Sequence, residues 1–259
     1  MKNRLGSLAQ LVTVVLAVAP LCGCGDDSGG GGGAGGAGGS GAGDATVQTY
    51  EPGSSPFGKT YGEWAGAWWR YVYETLPDES CFGPTTDPNG ASCKLGQDLS
   101  SPVFFLAGNA GGTTLRDQCV VPADKALFFP LLSFTTDNGG VPEELQQTDE
   151  QMRASAEASN DDIDRDSLTV EVDGATLPSP EAYETGLFAY SYVLPPEPNF
   201  YSCGGVPGVT GEVSPAYGNG FFVMLRPLAA GSHRVRFAGR IVLEDGDFVL
   251  DVTYELTVE

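Results

Sequence analysis

The single histidine, His233, is the one imidazole base in a chain of 259 residues. With one His, no His₂ or His₃ zinc site can form. A serine–histidine–acid triad would need a reactive serine beside it, yet no Gly-x-Ser-x-Gly elbow occurs, and Gly231-Ser-His233 opens a strand pattern. His233 therefore reads as structural. Glu63 and Glu74 flank an aromatic stretch and are the candidates for a carboxylate-dependent hydrolase acting on a carbohydrate. That chemistry needs two carboxyl groups about 5–9 Å apart across a cleft. Trp64, Trp68 and Trp69 lie between them and are candidates for stacking on sugar rings; the competing reading places them in the core. Asp162, Asp164, Asp166 and Asp173 share some spacings of a calcium loop. Ser167 stands where that loop needs glycine, and Asp173 stands where a bidentate Glu is usual. Solvated acids at a helix-to-strand joint are the expectation, with no metal or cofactor assigned.

The charge balance narrows the partners. Lys and Arg number 13 against 34 Asp and Glu, a net −21. Such a chain has no clustered cations with which to neutralise phosphates, so a nucleic-acid partner is excluded. Four of the six cysteines, Cys81, Cys93, Cys119 and Cys203, fall in the body of the chain. An even count in an exported protein implies two disulfides with three possible connectivities. Cys93–Cys119 is favoured because it would clip the strand region 102–108, which leaves Cys81–Cys203. A catalytic thiol would need a histidine and would leave an odd cysteine.

The first residues read as an address. Lys2 and Arg4 precede an apolar run, 11–20, that is too short to persist as a membrane-spanning helix. It ends in Leu21-Cys22-Gly23-Cys24, which resembles the lipobox of bacterial lipoproteins, Leu-x-Gly-Cys, whose last cysteine is diacylated. The resemblance implies that, within the signal region 1–24, Cys24 is lipidated and becomes the first residue of the mature chain, and hence a membrane as partner; the alternative is an ordinary cleaved signal. Two or more acyl chains hold a protein stably on a bilayer where one does not. Residues 25–45 are dominated by Gly, Ala and Ser and cannot bury apolar surface. They read as a tether with a root-mean-square reach of roughly 25 Å. A phosphate-cradling glycine loop would need a strand before it and a helix after it.

Residues 46–259 are expected to form a single domain, mainly of strands. Phe248, Leu250, Val252, Tyr254, Leu256 and Val258 alternate with Asp251, Thr253, Glu255 and Thr257, the period of a strand with one buried face. Residues 233–243 precede them, and the turn 244–247 should close a hairpin. Leu168, Val170 and Val172 run into Asp173-Gly174, a second hairpin signal. Segments 103–107, 126–134, 187–194 and 220–226 are apolar on both faces, as central strands of a sandwich would be; Pro130 points to an edge or bulge. Tyr61, Trp64, Trp68 and Tyr71 make one helical stripe that Pro77 ends. Thr148-Asp-Glu-Gln151 has the form of a capping box opening a short helix to about Ser159. Segments 108–114 and 199–217 read as long loops, where binding commonly resides.

Residues 228–237 with the strand 251–258 resemble the last hairpin of immunoglobulin- and PKD-like sandwiches. Tyr61-Gly-Glu-Trp64 with Trp68-Trp69, Val103-Phe-Phe-Leu-Ala-Gly108, Cys119-Val-Val-Pro122 and Lys125-Ala-Leu-Phe-Phe-Pro130 resemble a family of uncharacterised exported bacterial proteins. The resemblance implies a shared fold and export, favours pairing Cys93 with Cys119, and brings no catalytic residue. The expectation is an immunoglobulin-like antiparallel β-sandwich elaborated with an N-terminal aromatic helix and one short helix. It would be displayed on the cell envelope by lipidated Cys24, at the outer membrane or cell surface rather than the inner membrane. Its role would be a non-catalytic binding or structural module for a glycan or other envelope component. The carbohydrate hydrolase is the alternative.

Overall fold

The computed structural model describes residues 46–244 and 246–259. The signal (1–24), Cys24 and the tether (25–45) lie outside them, as does Asp245 of the expected turn. The described residues are mainly β, with sheets packed face to face and three α-helices among them. A four-stranded sheet has the order β1 (Val103–Phe105), β4 (Ala126–Thr136), β8 (Gly211–Leu225), β7 (Phe188–Leu194). A six-stranded sheet has the order β2 (Gly112–Arg116), β10 (Phe248–Val258), β9 (Gly231–Ile241), β5 (Ile163–Val172), β6 (Ala175–Thr176). The short β3 (Val120–Val121) lies beside β10 on the same edge as β2.

Alternation along the chain sets the six-stranded sheet. Leu250, Val252, Tyr254, Leu256 and Val258 are buried on β10, and β9 pairs antiparallel with it from Gly231–Val258 to Ile241–Phe248. Asp173 and Gly174 both take positive φ, as a tight turn between β5 and β6 requires. The four-stranded sheet is buried on both faces, which explains its near-continuous apolar runs. On one face, Phe129 stacks on Phe237 of β9 with centroids 4.5 Å apart. On the other, Phe128 stacks on Phe222 at 5.2 Å beneath α1 (Tyr61–Glu74). A Thr60–Glu63 capping box opens α1. Its Gly62 and Gly66 lie against Phe188 and Tyr190; a Cβ at either would sit 3.1 Å from the β-carbon opposite. Helix and β7 can approach this closely because those two positions carry no side chain. The second helix, α2 (Asp149–Ala158), opens with the expected Thr148–Gln151 box and buries Met152 and Ala156.

The interior pairs are antiparallel, but three edge pairs, β1–β4, β2–β10 and β3–β10, run parallel. After β1 the chain crosses to the other sheet, lays down β2 and β3, and returns as β4. A parallel pair needs a long crossover of that kind. The segment read as a loop at 108–114 thus enters β2, and the one at 199–217 contains a short helix, α3 (Phe200–Cys203), and the first part of β8. Cys81–Cys203 and Cys93–Cys119 are disulfides with Cα separations of 5.5 and 5.6 Å. Such bonds belong to an oxidising, extracellular or periplasmic compartment. Among the described residues, no helix is long and apolar enough to cross a membrane.

Candidate functional site

A gap at one edge of the four-stranded sheet creates the candidate site. β1 pairs with β4 only over Ala126–Phe128, whereas β4 continues to Thr136. Among the described residues, no strand covers β4 beyond Phe128 on that side. Pro130, which has no N–H to offer a neighbour, starts this bare edge, and the register against β8 shifts between Pro130 and Leu132. Meanwhile the chain leaving β1 turns to the other sheet, where Tyr254 Oη accepts from Ala107 N at 3.1 Å. Between α1, the β4 edge and β10 there remains a cleft of about 400 Å³. Trp69, Leu132, Phe134, Phe200, Phe248 and Leu250 give it apolar walls; Asn109 and Ser133 are among its few polar groups. Its one ionisable lining residue is Asp162.

Two further hollows adjoin it. One of about 620 Å³ shares Thr85, Asn109, Ala110 and Phe200 with the cleft. The other, of about 100 Å³, shares Trp69, Ser133, Phe134 and Phe200, and has Asp137 in its lining. Phe200 therefore borders all three. It is held by α3, whose cap Asn199 is fully buried and donates from Nδ2 to Pro195 O and Val209 O at 3.0 and 2.8 Å. The Cys81–Cys203 bond then fastens α3 to the loop that forms the opposite wall of the largest hollow.

Arg116 on β2 holds the remaining wall. It is 1% exposed, and all five of its N–H groups find acceptors. Nε donates to Asp87 O at 2.9 Å; Nη1 donates to Ala107 O at 2.6 Å and to Tyr254 Oη; Nη2 donates to Gly108 O at 3.0 Å and Thr85 O at 3.4 Å. Thr85 and Gly108, two of these acceptors, line the cleft.

At the smallest hollow, Asp137 is half-buried at the end of β4. Its Oδ1 accepts from Gly139 N at 2.7 Å and from Tyr201 Oη at 2.9 Å, and its Oδ2 from Tyr192 Oη at 2.9 Å. Burial pushes its carboxyl above the ordinary value, against the opposing pull of these three bonds. Tyr73 stacks on Tyr192 at 4.3 Å, and Trp69 on Tyr73 at 5.4 Å, so the hollow is walled by aromatic rings.

The structure disperses several of the sequence candidates. Trp64 and Trp68 are 4% and 3% exposed and donate from Nε1 to Pro56 O and Leu106 O, both at 2.9 Å. Trp69 is half-buried, bonds Ser133 Oγ at 3.0 Å and meets Trp68 edge-to-face at 5.1 Å. Trp68 and Trp69 reach the cleft, Trp64 does not, and the three rings form no common platform. Glu63 Oε2 accepts from Thr60 N at 2.8 Å, and this cap holds its carboxyl below the usual value. Glu74 Oε1 accepts from Val193 N at 2.9 Å. Eleven residues apart on one helix, the two are separated by about 16 Å of rise. His233 lies between Asp173 Oδ2, 2.6 Å from Nδ1, and Ala229 O, 2.8 Å from Nε2. Burial opposes its charge, but the two acceptors outweigh it and raise its pKa. Asp164 pairs with Arg240 and Asp173 with His233, so the spaced acids have separate partners. Among the described residues, no group of three or more His, Cys, Asp and Glu converges as a metal set would.

Sequence reasoning missed Asp137, Arg116, Tyr192, Phe200 and Tyr201. Tyr190-Ser-Tyr192 alternation was a faint signal, since it places two phenols on one face of a strand. No family model, curated protein or solved structure matches the chain.

Proposed function

We propose that this is an envelope lipoprotein, anchored by diacylated Cys24 through the tether 25–45, whose sandwich binds a small amphipathic molecule without transforming it. The observation that carries the reading is the cleft of about 400 Å³ on the bare edge of β4, apolar on most sides with a few polar groups at fixed places. Ligand sites have that composition and size. The walls are braced by Arg116 and the Cys81–Cys203 bond, as a preformed site requires. The signal-like pattern of the first residues, two disulfides and a net acidic composition are consistent with display outside the cytoplasm.

The two halves of the reading are tested separately. Cys24→Ser should move the protein from the membrane to the soluble fraction; unchanged membrane association would contradict the anchor. Ala110 is exposed at the rim shared by the two larger hollows, so Ala110→Trp should block the cleft while leaving the core intact. Calorimetric titration with 2-phenylethanol should show binding to the parent and at least a roughly tenfold loss in Ala110→Trp, the scale of a lost apolar contact of about 1.4 kcal/mol.

A further inference from the structure

We infer that the molecule bound in the cleft carries an organic ammonium group, and that this group is received by Asp137 inside the ring of Trp69, Tyr73, Phe200 and Tyr201. The inference rests on the binding reading above and names the polar end of that ligand.

Three features of the small hollow point to a cation. First, a carboxylate offers about four lone-pair positions. Asp137 uses two on Oδ1 and one on Oδ2, leaving one on Oδ2 free. Second, no ion pair among the described residues includes Asp137. A carboxylate withdrawn from water without a countercharge is costly unless something positive joins it. Third, the only ionisable residues other than tyrosine and disulfide cysteine around the three hollows are Asp87, Asp137 and Asp162. No Lys, Arg or His lines any of them, so an anionic head would meet only like charge. Aromatic faces add attraction for an ammonium through their quadrupoles.

The hydroxyl protons point the same way. Asp137 Oδ1 with Tyr201 Oη, Asp137 Oδ2 with Tyr192 Oη, and the two phenol oxygens 2.8 Å apart close a ring of three contacts. Two phenol protons can fill only two of them. The third is filled when Asp137 itself is protonated; an arriving ammonium takes over the positive charge of that proton, which leaves to solvent, and donates at the free position on Oδ2. The groups facing Asp137 are Tyr73 of α1, Tyr190 and Tyr192 of β7 and Tyr201 of α3, and burial raises the pKa of each, keeping the phenols neutral. Asp137 is thus the one carboxyl among these groups, and its raised pKa makes it the group whose charge a falling pH removes. The hollow of about 100 Å³ suits an ammonium head, and the shared wall at Phe134 and Phe200 leads its apolar tail into the cleft.

The test uses the full chain carrying Cys24→Ser and compares 2-phenylethylammonium, 2-phenylethanol and 3-phenylpropionate by calorimetry. At pH 7.5 the ammonium should bind roughly tenfold or more tighter than the alcohol, the scale of a charge-assisted contact in a partly desolvated site, and the propionate more weakly than either. In Asp137→Asn the ammonium should fall to the alcohol's affinity. In the unsubstituted pocket its advantage should shrink as pH drops through the Asp137 pKa, a readout that needs no pocket variant to fold. Equal affinities of ammonium and alcohol, or a preference that survives both Asp137→Asn and acid, would overturn the ammonium inference and leave the cleft reading in place. Binding of none of the three would overturn both.

Discussion

Arg116 and Asp137 are both charged side chains drawn into the protein without a charged partner, yet their surroundings differ in one respect. Arg116 is almost wholly covered and spends all five donors on four backbone carbonyls and Tyr254. Asp137 is half-buried, has three donors for about four positions, and opens onto a hollow. The first is a closed account of hydrogen bonds that fixes loops to a sheet. The second leaves one lone-pair position unfilled on a residue that lines a hollow. Satisfaction, more than charge, separates a structural buried ion from a receptive one.

That contrast makes stability the readout on one side and binding on the other. Arg116→Met should be the most damaging change, because it takes the arginine donor from the carbonyls of Thr85, Asp87 and Gly108 and leaves Ala107 O with Tyr254 Oη alone; a loss of about 3–5 kcal/mol is expected in urea unfolding. A loss under about 1 kcal/mol would mean that Arg116 is not the brace. Opening Cys81–Cys203 with paired serines should cost about 2–4 kcal/mol and also abolish 2-phenylethanol binding, since Phe200 borders the cleft and both hollows beside it. Asp137→Asn should have the smallest effect on stability, with a sign opposite to that of Arg116→Met at neutral pH. The folded-state pKa of Asp137 is raised, so between the ordinary carboxylate value of about 3.9 and that higher value the native state binds more protons than the unfolded one. Its contribution therefore favours folding at low pH and is lost as pH rises through this window. The Asn variant should lack this slope and be at least as stable as the parent at neutral pH. A parent whose stability climbs across the same window relative to Asp137→Asn would break the comparison.

The parts of the fold that follow local rules were legible in the sequence. The β9–β10 pair announced itself by alternation around an Asp-Gly turn, and α2 by its capping box. Pro130 marked both a bulge and a bare edge, as a residue without an N–H should. β8 was half hidden, because Pro215, Gly218 and Gly220 interrupt its pattern. Tertiary packing accounts for these interruptions: the β7–β8 register shifts opposite Pro215, and a Cβ at Gly218 would lie 2.5 Å from the Phe188 ring. The cleft was illegible for a different reason. It is a missing partner beside β4, produced by a crossover that no periodicity records. Asp137 sits in Thr-Asp-Asn-Gly-Gly, which reads as a turn, and its tyrosine partners lie 55 and 64 residues further along. The tryptophan stripe drew attention by residue type, but two of its three rings serve packing.

The Cys81–Cys203 bond joins positions 122 residues apart. During synthesis, the loop bearing Cys81 emerges well before its partner, because Cys203 follows only after well over half of the remaining chain, with Cys93 and Cys119 in between. The pocket wall is therefore among the last parts to be locked, and only where an oxidant is present. A copy in a reducing compartment holds that wall unlatched, and on the binding reading proposed above the cavity takes its final form only after oxidation.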